Sequence, residues 1–196
     1  SLCFQTYAAF RALTDHAASL FIYPLRALIA DQVFHLRTSL ERFGIASAVI
    51  TGESSPEERA AVYAGLADGS LDIVLTTPEY LMFHTDELAA SGRVGFVVVD
   101  EAHHIGQAKA GQRVAYTQLD RALTRLGDPV VLAVTATAND AVADDIGAVL
   151  PIQDSVIGET ARDNLYLDDQ RNIPHRDDYL ASLVATGEKT VIYVNS

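Results

Sequence analysis

The chain has 196 residues, 49% of them apolar and 20% charged, enough for one domain with a sizeable core and part of another. Its 26 acidic side chains outweigh 14 lysines and arginines, a formal net charge of −12 that excludes a protein held to nucleic acid by bulk positive charge, though not a narrow groove of local donors. No apolar segment reaches the roughly 18 residues of a membrane span, no basic, apolar leader opens the sequence, and Cys3 as the sole cysteine excludes an internal disulfide, so a cytoplasmic home without membrane partners is expected.

Apolar runs alternate with helical patterns along most of the chain. "SLFIYP" (19–24) predicts a buried strand, and "LRALIADQVFHLRTSLERFG" (25–44) an amphipathic helix stopped by Gly44. "ASAVIT" (46–51) is the next strand. "SSPEERAAVYAGLADG" (54–69) carries a serine cap, Pro56 in the first turn and a closing glycine. "DIVLTT" (72–77) is a strand that Pro78 turns into a short helix. "VGFVVV" (94–99) lacks polar alternation, as in a strand covered on both faces. A polar stretch, a helix near 114–126, the strand "VVLAVTA" (130–136) and a helix near 139–149 come next. Beyond residue 150 the chain turns charged and loop-rich until "KTVIYVNS" (189–196), which has the texture of a fresh buried strand.

Strands alternating with helices imply βαβ units and a mainly parallel sheet covered on both faces. Ligands of such sheets sit outside the carboxyl ends of the strands. The strand-end sets are Tyr23-Pro24-Leu25-Arg26, Thr76-Thr77-Pro78-Glu79, Asp100-Glu101-Ala102-His103 and Thr135-Ala136-Thr137, and they are the candidate site. An aspartate closing a buried strand and followed by glutamate suits metal-assisted attack on a phosphate: the aspartate holds Mg²⁺, often through water, and the glutamate orients or deprotonates the attacking water. Two solvated acids at a strand end are the plain alternative.

"DEAH" (100–103) resembles motif II of superfamily 2 helicases, and the rest of the chain supplies further motifs in order: "YPLRALIADQ" is similar to motif Ia, "TTPEYL" to motif Ib, "AVTATA" to motif III and "TVIYVNS" to the strand of motif IV. "DEAHHIGQ", "VTATAND" and "ARDNLYL" most resemble the RecQ branch of DNA helicases. The resemblance implies an α/β, RecA-like P-loop NTPase sandwich over residues 1–158, with 159–196 as linker and first strand of a second such domain. "SLCFQ" resembles the continuation of the P-loop after its glycine-lysine pair. Ser1 then ligates Mg²⁺, unless it merely caps a helix, and the phosphate-binding lysine is expected upstream of residue 1.

The resemblance also assigns roles. Asp100 holds Mg²⁺ and Glu101 positions the water. His103 senses the γ-phosphate through motif III, Gln107 touches the motif III loop, and Thr135 and Thr137 couple hydrolysis to domain movement. Arg26 and the Thr76-Thr77-Pro78 turn hold the backbone of a single strand, with ordinary strand-end hydroxyls as the alternative for the two threonines. His104 is a bystander. The implied activity is an ATP-dependent DNA helicase or translocase, 3′ to 5′, in DNA repair or recombination, with ATP and Mg²⁺ as cofactors. Single-stranded or partly duplex DNA is the partner, and these 196 residues alone are expected to be inactive.

One departure stands out. RecQ enzymes carry an aromatic-rich loop after motif II, whereas this chain has no tryptophan, and "AKAGQRVAY" (108–116) keeps only Arg113 and Tyr116 in comparable places. A helicase-like module of a larger repair protein, fused to or partnered with a single-strand exonuclease and binding DNA with a feeble ATPase, is therefore the alternative function. A zinc hydrolase is disfavoured by scattered histidines, the single cysteine and the lack of HExxH. A DEAD-class RNA helicase is disfavoured by motif Ia and by His103 where that class has aspartate.

Overall fold

The computed structural model describes residues 2–109, 114–137, 139–158, 164, 166, 168–170 and 172–192. Two compact units divide the chain, residues 1–157 and 158–196. The first is built on a five-stranded, wholly parallel sheet of order β2-β3-β1-β4-β5. Its strands are β1 (Ala18–Ile22), β2 (Ser47–Val49), β3 (Ile73–Thr76), β4 (Val94–Val99) and β5 (Val130–Ala133).

Alternation along each strand divides the core into two layers. Phe21, Tyr23, Phe96 and Val98 face the layer completed by Phe4 and Ala8 of α1 (Leu2–Asp15) and by Ile29 and Leu36 of α2 (Arg26–Leu40). Leu20, Ile22, Val97 and Val99 face the opposite layer. That layer is filled from α3 (Pro56–Asp68), α4 (Pro78–Ala89), α5 (His104–Lys109), α6 (Leu119–Arg125) and α7 (Asp140–Val149). β1, β3 and β4 are paired and covered throughout, which explains their unbroken apolar sequences. The edge strand β5 is less enclosed, and Val130 and Leu132 remain partly exposed on the α1 side of the sheet.

Local sequence sets the boundaries. Ser55 and Glu58 form a reciprocal capping box at the start of α3, with Pro56 in its first turn and Gly69 closing it at φ 86°, where a side chain would be strained. Thr77 caps α4, and Pro78, which has no amide hydrogen to lose, begins it. Asn139 caps α7. The polar stretch after β4 contains a helix, α5, and the expected helix near 114–126 is a 3₁₀ segment (Val114–Gln118) leading into α6.

The second unit departs from expectation. Within the loop-rich stretch lies a helix, α8 (Arg176–Ala185), which buries no residue. The strand expected over 189–196 is not formed over 189–192, where the backbone is irregular and Val191 and Ile192 are exposed. A lone strand has no hydrogen-bonding neighbour to hold it. Residues 193–196 lie outside the described residues.

Candidate functional site

The carboxyl tips of β4 and β5 are hydrogen-bonded into one ledge. Val134 N–H donates to Val99 O at 2.9 Å, and Ala102 N–H returns to Val134 O at 2.9 Å. On the other side Asp100 N–H donates to Ile22 O at 3.0 Å, fastening the same tip to β1. The backbone therefore brings Asp100, Glu101, His103, Thr135 and Thr137 to one end of the sheet.

His103 joins the side chains. Its Nδ1 lies 3.2 Å from Glu101 Oε2 and 3.0 Å from Thr135 Oγ1. The contact with Thr135 is a hydrogen bond whose direction follows the imidazole tautomer, and the Glu101 carboxylate lies beside the same nitrogen as an ion-pair partner when the ring is protonated. Thr135 Oγ1 also accepts from Thr137 N–H at 3.2 Å. Glu101 reaches this position with φ at 50°, in the left-handed region that a non-glycine residue occupies at a cost of about 1–2 kcal/mol. Backbone strain of this kind collects at functional sites.

Asp100 is half-buried at the same tip. Burial raises its carboxyl above the usual aspartate range and the Glu101 charge adds to this, while the hydrogen bond from Glu101 N–H (2.9 Å) opposes it. Among the described residues His103, rather than a lysine or arginine, offsets this in part. A partly desolvated oxygen ligand short of a counter-charge fits a hard divalent cation such as Mg²⁺.

The tips of β2, β3 and β1 form the other half of this end. Arg26, at the start of α2, makes an ion pair with Glu53 from the loop after β2, and both side chains are exposed. Thr76 is fully buried and its hydroxyl donates to Ile50 O at 2.8 Å. Thr77 Oγ1 accepts from Tyr80 N–H, and Pro78 packs beneath it as a buried first-turn residue.

A family model, the DEAD/DEAH box helicase, matches residues 1–146. The chain belongs to the DEAD/DEAH box helicase family. This helicase domain is 30% identical over 200 residues to the ATP-dependent DNA helicase RecQ of Haemophilus influenzae, covering 100% of this chain and 31% of the relative. It is 34% identical over 169 residues to RecQ of Bacillus subtilis, covering 84% of this chain and 27% of that protein. The chain thus spans less than a third of these curated relatives. Among solved structures, the helicase MrfA bound to DNA and AMPPNP matches with a TM-score of 0.54 at 24% identity, over 71% of this chain and 20% of that one, a likeness of RecA-like fold.

One expectation for the helicase domain needs correction. Thr76 does not face a bound strand, because its hydroxyl is spent on the β2 backbone in the core. Gln107 Oε1 is hydrogen-bonded to His104 Nδ1 at 2.6 Å, one helical turn back. Tyr116 is buried among α5 and α6. Ser1 and Arg113 lie outside the described residues. The loop Thr51-Gly52-Glu53-Ser54-Ser55 belongs to the same end of the sheet, although its sequence draws notice only through the serine cap. The strand-end rule that picks out the other four tips applies equally to the end of β2.

Proposed function

We propose that this domain is the first motor lobe of a RecQ-like, ATP-dependent DNA helicase, with ATP bound at the β4–β5 tips and single-stranded DNA along the β2–β3–β1 tips. The linkage Glu101–His103–Thr135–Thr137 carries this reading. It ties the carboxylate that can orient a water to the strand end that can report its state, without any intervening flexible segment. The resemblance to RecQ helicases adds an expected 3′ to 5′ direction and a role in DNA repair or recombination, and the single cysteine suits a cytoplasmic setting.

Asp100 is the residue that would hold magnesium, and the ion, once bound, would neutralise charge on the triphosphate. Glu101 accepts a proton from, or aligns, the attacking water. His103 touches both Glu101 and Thr135, so a change in the position of Glu101 is felt by the β5 tip. Arg26 and the backbone around Thr77 and Pro78 supply contacts to phosphates rather than bases, as a motor indifferent to sequence needs.

The test is ATP hydrolysis by the full-length protein with and without single-stranded DNA. Glu101→Gln is expected to lower the stimulated rate by about 10²–10⁴-fold, the usual contribution of a general base, while DNA binding persists. Undetectable hydrolysis by the unaltered protein, with intact DNA binding, would favour the helicase-like module fused to or working beside a nuclease.

A further inference from the structure

The ion pair between Arg26 and Glu53 joins two strand tips that are not neighbours. β2 stands at the sheet edge and β1 is two positions away, with β3 between them. Adjacent strands lie about 4.8 Å apart, so the connection spans roughly 10 Å across the β3 position, where Thr77 and Pro78 open α4. A strand backbone settling on these tips meets the connection first.

The loop presenting Glu53 is pinned from several sides. Thr51 N–H donates to Ser54 Oγ at 3.0 Å, and Glu53 N–H to Thr51 Oγ1 at 3.3 Å. The carbonyls on either side of Glu53 are both held by Arg59: its Nε donates to Ser54 O at 3.0 Å and its Nη2 to Gly52 O at 3.1 Å. The same guanidinium lies over the Tyr80 ring, 5.5 Å from its centre. Arg59 is therefore occupied as a brace for the loop, whereas Arg26 engages only an exposed carboxylate.

A carboxylate and a phosphate make the same forked contact with a guanidinium and exclude one another from it. We propose that Glu53 is a resident competitor for the phosphate seat at Arg26, a carboxylate that must be displaced before the backbone of a single strand can take the guanidinium. The inference rests on the reading that Arg26 faces DNA. It makes affinity for the strand a difference between two contacts of one arginine. Because both partners are solvated, the competition is mild: an exposed ion pair shifts an equilibrium by up to about 5-fold. Such a brake suits a motor that must release each phosphate it grips.

The experiment is a double-mutant cycle on the full-length protein without nucleotide, tracking the anisotropy of a labelled oligothymidylate with the unaltered protein, Glu53→Gln, Arg26→Gln and the pair. Glu53→Gln is expected to tighten binding about 3–5-fold, Arg26→Gln to weaken it, and the double variant to bind as Arg26→Gln alone. The substitutions lie on exposed side chains and keep side-chain length or polarity, so the fold is not at stake. Equal tightening by Glu53→Gln with or without Arg26 would overturn the proposal, since mere loss of a negative charge would then account for it. So would weakening by Arg26→Gln with no gain from Glu53→Gln. No effect of Arg26→Gln would instead overturn the assignment of Arg26 to DNA, and the competition with it.

Discussion

Asp100 is half-buried, and burial together with the Glu101 charge outweighs the partial relief from His103 and from Glu101 N–H, so its ionised form strains the nucleotide-free domain. Its native pKa is raised above the ordinary aspartate value near 3.9. The native state therefore holds the proton more tightly than the unfolded chain, and stability falls as pH rises from that ordinary value through the raised native one. Above that window the penalty is complete. Asp100→Asn removes the charge and is expected to raise the denaturation midpoint of the nucleotide-free full-length protein at neutral pH. The gain should shrink as pH is lowered through the native value. A loss of stability at neutral pH would mean that the carboxylate is held by favourable contacts instead. The same residue that weakens the empty domain is the one suited to a divalent cation, so cost and function coincide at one side chain.

At the scale of elements, the contact of α5 with α7 controls how the segment after Glu101 is held. A methyl group added at Gly106 would lie 2.6 Å from Asp145 Oδ2, closer than a carbon and an oxygen can approach. Gly106→Ala is therefore expected to turn the Asp145 carboxylate aside, and because alanine is the better helix former the loss should stay below about 1 kcal/mol. Adding Asp145→Ala should recover part of that loss. Thermal or urea unfolding of the two variants checks this, and a single variant destabilised well beyond that bound would show that the Asp145 carboxylate cannot turn away. Elements held by burial are legible in the sequence: β1, β3 and β4 are continuous apolar runs because both faces are covered, and α3 announces itself through Ser55, Pro56 and Gly69. Elements without such anchors are not. α8 buries nothing, so no apolar face marks it, and residues 189–192 carry strand-like side chains that pair with no strand among the described residues. The site divides in the same way. Positions fixed by strand ends, such as Asp100 and Thr135, can be named from the sequence, whereas the choice of Thr76 Oγ1 for Ile50 O depends on a strand 26 residues away. Sequence spacing does not encode that choice.

Across the whole sheet, the proposed function divides the five tips into a chemical pair, β4 and β5, and a binding trio, β2, β3 and β1, with β1 adjoining β4. Asp100 is tied to Ile22 O, and Ile22 lies four residues before Arg26, so the two halves meet at one strand end. The net charge of −12 repels a polyanion at long range. Attraction must then come from short contacts, and their number can be read from salt. Each phosphate neutralised on a single strand releases bound counterions and contributes about 0.7 to the magnitude of the slope of log K against log salt concentration. Arg26→Gln is expected to lower that magnitude by about 0.7 in the full-length protein, since one cation is removed from the interface. Measuring affinity for oligothymidylate over a series of salt concentrations distinguishes this from a structural effect of the substitution, which would weaken binding by the same factor at every concentration. A slope unchanged by Arg26→Gln would place the phosphate contacts elsewhere on the protein.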